Sequence, residues 1–179
     1  LDVTEAVIEE ASRLGFNLIV AHHPLLFRGV KCVSDRTQVQ RCIRLAVQHD
    51  ITIYAAHTNL DNARGGVNFE IAQRLGLEHL DWLAPLAGQD AGSGLVGELP
   101  QPIAATTWLE TLKKTFGVEA LLYAPGPQTE VRRIALCGGA GEFLIDRAVQ
   151  LGADLFLTGE IGYHHFFGHE NELWLAALG

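Results

Sequence analysis

The sequence predicts an α/β fold made of two related halves, with mixed or parallel sheets flanked by helices. Two observations predict it. First, short continuous apolar runs at residues 18–21, 51–56 and 155–158 alternate with segments whose apolar residues recur at helical spacing. That alternation makes parallel neighbours joined by helical crossovers, because a tight turn cannot connect parallel strands. Second, one stretch recurs. Glu5, Ile8, Ala11, Leu14, Gly15 and Leu18 reappear at constant offset as Glu142, Ile145, Ala148, Leu151, Gly152 and Leu155, and His23 falls opposite Glu160. Read as an internal duplication, this gives two halves, the first lacking a counterpart of strand 133–137. Any helix closed by glycine and followed by an apolar strand also gives part of this match.

The elements follow in order. Thr4 can cap a helix with Ala6, Val7, Ile8, Ala11 and Leu14 on one face, and Gly15 can end it. Strand 18–21 runs into His22-His23-Pro24, and Pro24 cannot extend a ladder. A loop at 27–36 carries Arg28, Gly29, Lys31 and Arg36. Helix 37–49 places Val39, Cys42, Ile43, Ala46 and Val47 on one face, and strand 51–56 follows. Gly65-Gly66 precede helix 67–75, which Gly76 closes.

Glycine and proline then dominate. Residues 85–102 read as a crossing segment between a first half, 1–84, and a second, 103–179. In the second half the pattern predicts helix 106–116, strand 120–123, a turn at Pro125-Gly126-Pro127, strand 131–137, a tight turn at Gly138-Gly139-Ala140-Gly141, helix 142–151 and strand 155–158.

Composition narrows the function. The 179 residues are 48% hydrophobic and 19% charged, as a core-forming protein requires. A net charge of -8 without a cationic run argues against nucleic acid as partner. No apolar run reaches the roughly 18 residues that cross a bilayer, so no membrane partner is expected. The opening Leu1-Asp2-Val3-Thr4 lacks the basic and apolar regions of a signal peptide. Cys32, Cys42 and Cys137 have no CxxC spacing and read as reduced thiols in a cytoplasmic protein. The chain does not start with Met, and the apolar segment 173–178 stops at Gly179 without a cap. Both features suggest a fragment trimmed at its ends.

Three strand ends carry polar clusters: His22-His23, His57 with Asp61, and Glu160 with His164-His165. In a parallel sheet such ends share one edge, where open α/β folds bind ligands. Imidazole with carboxylate suits Zn, Fe, Mn or Ni better than Ca or Mg. A pair of such ions about 3.5–4 Å apart also needs a bridging carboxylate and water. Gly92-Ser93-Gly94-Leu95-Val96-Gly97 matches GxGxxG, but Glu98-Leu99-Pro100 follows in place of a helix, so dinucleotide binding is rejected. Gly138 to Gly141 has a strand before it and a helix after; a helix N-terminus there can hold phosphate, and a plain tight turn explains it as well.

Residues 19–27 (IVAHHPLLF), 56–61 (AHTNLD), 92–98 (GSGLVGE), and Thr158-Gly159-Glu160 with Tyr163-His164 occur in the order of a known family. On these motifs the chain resembles the GTP cyclohydrolase 1 type 2 homologs, also called the Ngg-interacting-factor-three-like family. The resemblance spans nearly the whole chain. It implies a duplicated α/β fold, a dinuclear site for two divalent metal ions, and a ring-shaped homohexamer built from dimers. By motif position His22, His23 and Asp61 match family metal ligands. The family's other two ligands, a His and a Glu in a GHxxxE-like segment, would begin after Gly179. His57, Glu160 and His164 match polar residues lining the same cleft, where the resemblance implies supporting or acid–base roles.

These readings leave three functions open. The leading one is a metal-dependent hydrolase acting on a nucleotide or another small phosphorylated substrate, GTP ring opening being what the family name suggests. The second is a non-catalytic metal-binding oligomeric scaffold or trafficking protein. The third is a purely structural fragment whose histidines are packed.

Overall fold

The computed structural model describes residues 1–179. The chain forms two compact units, Leu1–Leu60 and Asp61–Gly179.

In the first unit, α1 (Glu5–Arg13) starts where the Thr4 hydroxyl accepts from the Val7 amide. After Gly15, which takes a left-handed φ of 75°, the chain enters β1 (Leu18–Ala21). Helix α2 (Gln38–Gln48) starts at Thr37, whose hydroxyl accepts from the Gln40 amide, and leads to β2 (Thr52–Ala55). Strands β1 and β2 pair in parallel with Ala21 opposite Ala55. One face packs on the helices: Ile19, Ala21 and Ile53 join Ile8, Ala11, Cys42 and Ala46 in a single cluster. Side chains alternate along a strand, so Leu18, Val20 and Tyr54 lie on the other face, where they are 53%, 65% and 52% exposed.

A single turn, α3 (Thr58–Asp61), precedes the second unit's first full helix, α4 (Val67–Arg74). Then come β3 (Glu78–Pro85), β4 (Gly92–Ala104), α5 (Ala105–Phe116), β5 (Leu122–Ala124) and β6 (Glu130–Ala140). A 3-10 turn (Glu142–Leu144), α6 (Ile145–Gln150), β7 (Leu155–Glu160), a second 3-10 turn (Tyr163–Phe166) and β8 (Trp174–Ala177) complete it. The six strands order as β3-β4-β6-β7-β8-β5. The β6–β7 and β7–β8 pairs are parallel, and the β3–β4, β4–β6 and β5–β8 pairs antiparallel. The mixed α/β architecture predicted from the sequence is the one observed.

Both faces of this sheet are buried, and the alternation sorts them. Leu95, Ile134, Leu136, Leu155, Leu157 and Trp174 pack with Ala72, Trp108 and Leu112 from α4 and α5. Val96, Ala135, Cys137, Phe156 and Leu175 face the opposite way, toward Leu144, Ile145 and Ala148. Buried on two sides, residues 134–137 of β6, 155–157 of β7 and the whole of β8 are continuous apolar runs rather than alternating ones, as strand segments covered on both faces are.

Several elements differ from the sequence prediction. Most of 85–102 is strand β4, not irregular chain. Its glycines are needed for close approach: a Cβ on Gly97 would sit 2.7 Å from Leu80 Cδ2, and one on Gly94 2.7 Å from the Leu136 carbonyl oxygen. The GxGxxG match is therefore strand packing, not a phosphate loop. Strand β6 runs on to Ala140, through part of the predicted tight turn. The predicted helix 142–151 divides into a 3-10 turn and α6. No helix is long and apolar enough to cross a membrane.

Candidate metal centre

The parallel pairing of β1 with β2 builds the candidate site. The Ala56 amide donates to the Ala21 carbonyl at 2.8 Å, extending the ladder by one bond past the strands. The residues that follow, His22-His23 on one side and His57 on the other, thereby come level. Their ring centroids lie 5.2 Å (His22–His23), 5.3 Å (His22–His57) and 5.8 Å (His23–His57) apart. One ring nitrogen from each lies within 4.8 Å of the others, the only spacing among three His, Cys, Asp or Glu groups here that suits a metal ion. His22 and His57 are half-buried and His23 is exposed. Phe27 meets the His57 ring edge-on at 6.3 Å.

Hydrogen bonds orient each ring. His22 Nδ1 is 2.7 Å from the Ala56 carbonyl oxygen, His23 Nδ1 is 2.9 Å from Asp2 Oδ1, and His57 Nδ1 is 3.3 Å from the Thr58 hydroxyl. The Leu1 carbonyl accepts from the amides of both His22 (3.2 Å) and His23 (3.1 Å), which fixes the backbone of the pair. Three imidazoles with their Nδ1 atoms engaged form a nitrogen donor set that fits a borderline transition ion such as Zn, and fits Ca or Mg poorly.

The other predicted residues belong to the second unit. Asp61 ends α3, and its main-chain carbonyl accepts from Asn68 Nδ2 at 2.9 Å. Glu160 ends β7 and is exposed. His164 lies in the 3-10 turn Tyr163–Phe166, its ring 5.5 Å from that of Tyr163. The strand ends predicted to share one sheet edge thus belong to two sheets: β1 and β2 to one, β7 to the other. The reason is that a six-stranded mixed sheet took up β7, while β1 and β2 pair only with each other. Sequence reasoning placed His57 at a strand end able to converge with the histidine pair and gave it a supporting or acid–base role; its ring joins theirs as a third nitrogen donor, because the β1–β2 register brings them level. The same reasoning missed Asp2 altogether. Twenty-one positions separate Asp2 from His23, and no motif links them.

Beyond Glu160, the Glu142 carboxylate accepts from the Gly162 amide at 2.6 Å and faces His165 Nε2 at 3.8 Å. The Thr158 hydroxyl, buried, donates to the Gly139 carbonyl at 2.8 Å and accepts from the Gly141 amide at 2.9 Å. Burial foremost, then the charge of Asp61, pushes the nearby Cys137 thiol up to about 11.

Fold and site together define an α/β protein with a histidine cluster, at parallel strand ends, that is able to hold a metal ion. The chain belongs to the Duf34/NIF3 (NGG1p interacting factor 3) family, whose profile matches residues 1–178. A Clostridium perfringens protein named GTP cyclohydrolase 1 type 2 homolog is 37% identical over 181 residues, covering 99% of this chain and 68% of the relative. A Lactococcus lactis protein of the same name is 33% identical over 173 residues, covering 95% of this chain and 65% of the relative. The chain thus spans about two thirds of the length of the curated relatives it matches. Among solved structures, a Bacillus cereus protein related to NIF3 superposes with TM-score 0.87 at 25% identity, covering 100% of this chain and 76% of that one. The reduced HcgD of Methanocaldococcus jannaschii shares the fold, with TM-score 0.80 at 24% identity over 99% of this chain and 69% of that one.

Proposed function

We propose that the protein is a cytoplasmic, metal-dependent hydrolase of a nucleotide or another small phosphorylated substrate, with two divalent ions per chain and a ring-shaped homohexameric assembly. The observation that carries the metal is the convergence of His22, His23 and His57 within 4.8 Å. The relatives' name, GTP cyclohydrolase 1 type 2 homolog, supports the hydrolytic reading and the nucleotide class. His22, His23 and His57 would hold the ion, whose chemistry there would be to acidify a bound water toward a nucleophile near neutral pH. In this reading His22 and His23 are ligands, His57 is the third imidazole of the set, and Asp61 is a carboxylate ligand by family resemblance. Glu160 and His164 are the candidate proton-moving groups by the same family resemblance, carboxylate and imidazole being side chains that general acid–base catalysis uses.

The test is metal content by plasma mass spectrometry after incubation with Zn, Mn or Fe, on the protein and on a His22→Ala/His57→Ala double variant. The reading expects bound ion in the first and its loss in the second. A protein that stays metal-free under all three conditions overturns it. Turnover of nucleoside triphosphates by the metal-loaded protein then separates hydrolase from scaffold. Retained metal with no turnover of any nucleotide favours the non-catalytic, oligomeric metal-binding reading.

A further inference from the structure

We propose that Asp2 is a positioning residue for the histidine cluster: its carboxylate holds His23 in the one tautomer and orientation that present Nε2 to a metal. The inference rests on the metal reading above and adds to it a residue that no motif contains. The argument is one of donors and acceptors. An ionised carboxylate can only accept, so at 2.9 Å from Asp2 Oδ1 the His23 Nδ1 must carry the proton. Nε2 then bears the lone pair. The Ala56 carbonyl imposes the same choice on His22 from 2.7 Å, since a carbonyl oxygen also only accepts.

The two histidines differ in what does the work. His22 is set by backbone that β1–β2 pairing fixes in any case. His23 is the exposed member of the cluster and depends on a side chain. The chain fixes the backbone that carries this side chain. Leu1, next to Asp2, accepts main-chain hydrogen bonds from both His22 and His23, so the segment bearing the carboxylate is tied to the residues it orients. Val3, directly after it, is 7% exposed and sits in the core cluster of α1 and α2. Asp2 is thus pinned on both sides. Carboxylate–imidazole pairs of this kind raise ligand basicity, and losing them costs roughly 10–100-fold in metal affinity.

The experiment combines two readouts on the full chain and on Asp2→Ala and Asp2→Asn. Side-chain 15N spectra of the metal-free protein report the tautomer of each histidine, and competition against a chelator reports the affinity for Zn²⁺ alone. Wild type should show His23 protonated at Nδ1. Asp2→Ala should mix its tautomers, leave His22 unchanged, and weaken zinc binding about 10–100-fold. Asp2→Asn keeps an accepting oxygen without the charge, so it should hold the tautomer while losing several-fold in affinity. Zinc binding by Asp2→Ala within twofold of wild type, or a wild-type His23 protonated at Nε2, overturns the proposal. If Asp2→Ala fails to fold, unchanged affinity in Asp2→Asn overturns it instead. If wild type takes up no zinc, zinc is excluded as the ion while Mn and Fe stay with the metal test above, and the tautomer populations still decide whether Asp2 sets His23.

Discussion

The ends of β1 and β7 solve the same problem in opposite ways. Both strands finish in residues of interest, His22-His23 and Glu160. At β7 the fixing is done by buried packing. Thr158 bridges Gly139 and Gly141 through its hydroxyl, and a Cβ on Gly159 would sit 2.9 Å from the Gly139 carbonyl oxygen. The strand itself is covered on both faces. At β1 the sheet has two strands and one covered face, and the histidines are held by hydrogen bonds to Leu1, Asp2 and Ala56. The difference teaches where each end is vulnerable. Changes to apolar volume or to the buried Thr158 bridge should damage the β7 end, and changes to single exposed polar partners should damage the β1 end.

The largest expected contrast is chemical. Cys32 is exposed in the loop before α2, whereas Cys137 is buried beside the glycine run that braces β7. With its thiol raised from 9.0 to about 11, Cys137 holds about a hundredfold less thiolate at pH 8 than an ordinary cysteine. The thiolate is the reactive form. Under native conditions at pH 8, a maleimide should therefore label Cys32 first and Cys137 at least about a hundredfold more slowly, followed by mass spectrometry of tryptic peptides. Comparable rates would mean that β6 opens readily and that the β7 end is not held by packing.

Next in size is the core under β7. Phe156 is fully buried among Ala135, Leu144 and Ala148. Phe156→Ala removes most of a ring from a packed site and should cost about 3–5 kcal/mol in urea unfolding. Thr158→Val is smaller. It keeps the shape but strands the Gly141 amide and the Gly139 carbonyl, so about 1–3 kcal/mol should be lost. Thr158→Ser, which keeps the hydroxyl, should recover most of that loss. If valine is as stable as threonine, the hydroxyl bridge does not brace the strand end.

The same contrast explains what could be read from the sequence. Helices α1 and α2 were legible because Thr4 and Thr37 are local caps and the apolar spacing is regular. Strands β1, β2 and β7 were legible as short apolar runs. Strands β3 and β4 were not, because Gly92, Gly94, Gly97 and Pro100 look like loop, and the reason for the glycines is a neighbouring strand. Strand β8 has four residues, and its pairing with β5 and β7 joins distant positions. In the candidate site, His22 and His23 announced themselves by adjacency. The approach of His57 depends on strand register, and that of Asp2 on a main-chain clamp from Leu1. Both are tertiary facts; the strand-end position of His57 hinted at the first, and no local signal hinted at the second. The helix–glycine–strand match between the halves is a sequence similarity whose two copies differ in detail. Helix α1 is continuous over nine residues, whereas its counterpart divides into a 3-10 turn and six residues of α6.

The smallest effect should come from the uncovered face of the first unit. Val20 is 65% exposed, so it has little buried surface to lose. It also sits one residue from Ala21, whose carbonyl extends the ladder to Ala56. Val20→Thr keeps the β-branched shape that suits a strand and exchanges a methyl for a hydroxyl on the solvent side. Its cost should stay within about 0.5 kcal/mol, as for substitutions away from packed features. Zinc affinity should not change, because the backbone bonds that level His22 with His57 are untouched. A loss above about 1 kcal/mol would require that face to be covered in the protein measured, a result that hydrogen exchange across residues 18–21 and 52–55 would check directly. The hydrogen-bonded end of β1 would then be supported by packing after all, and the distinction between the two strand ends would narrow.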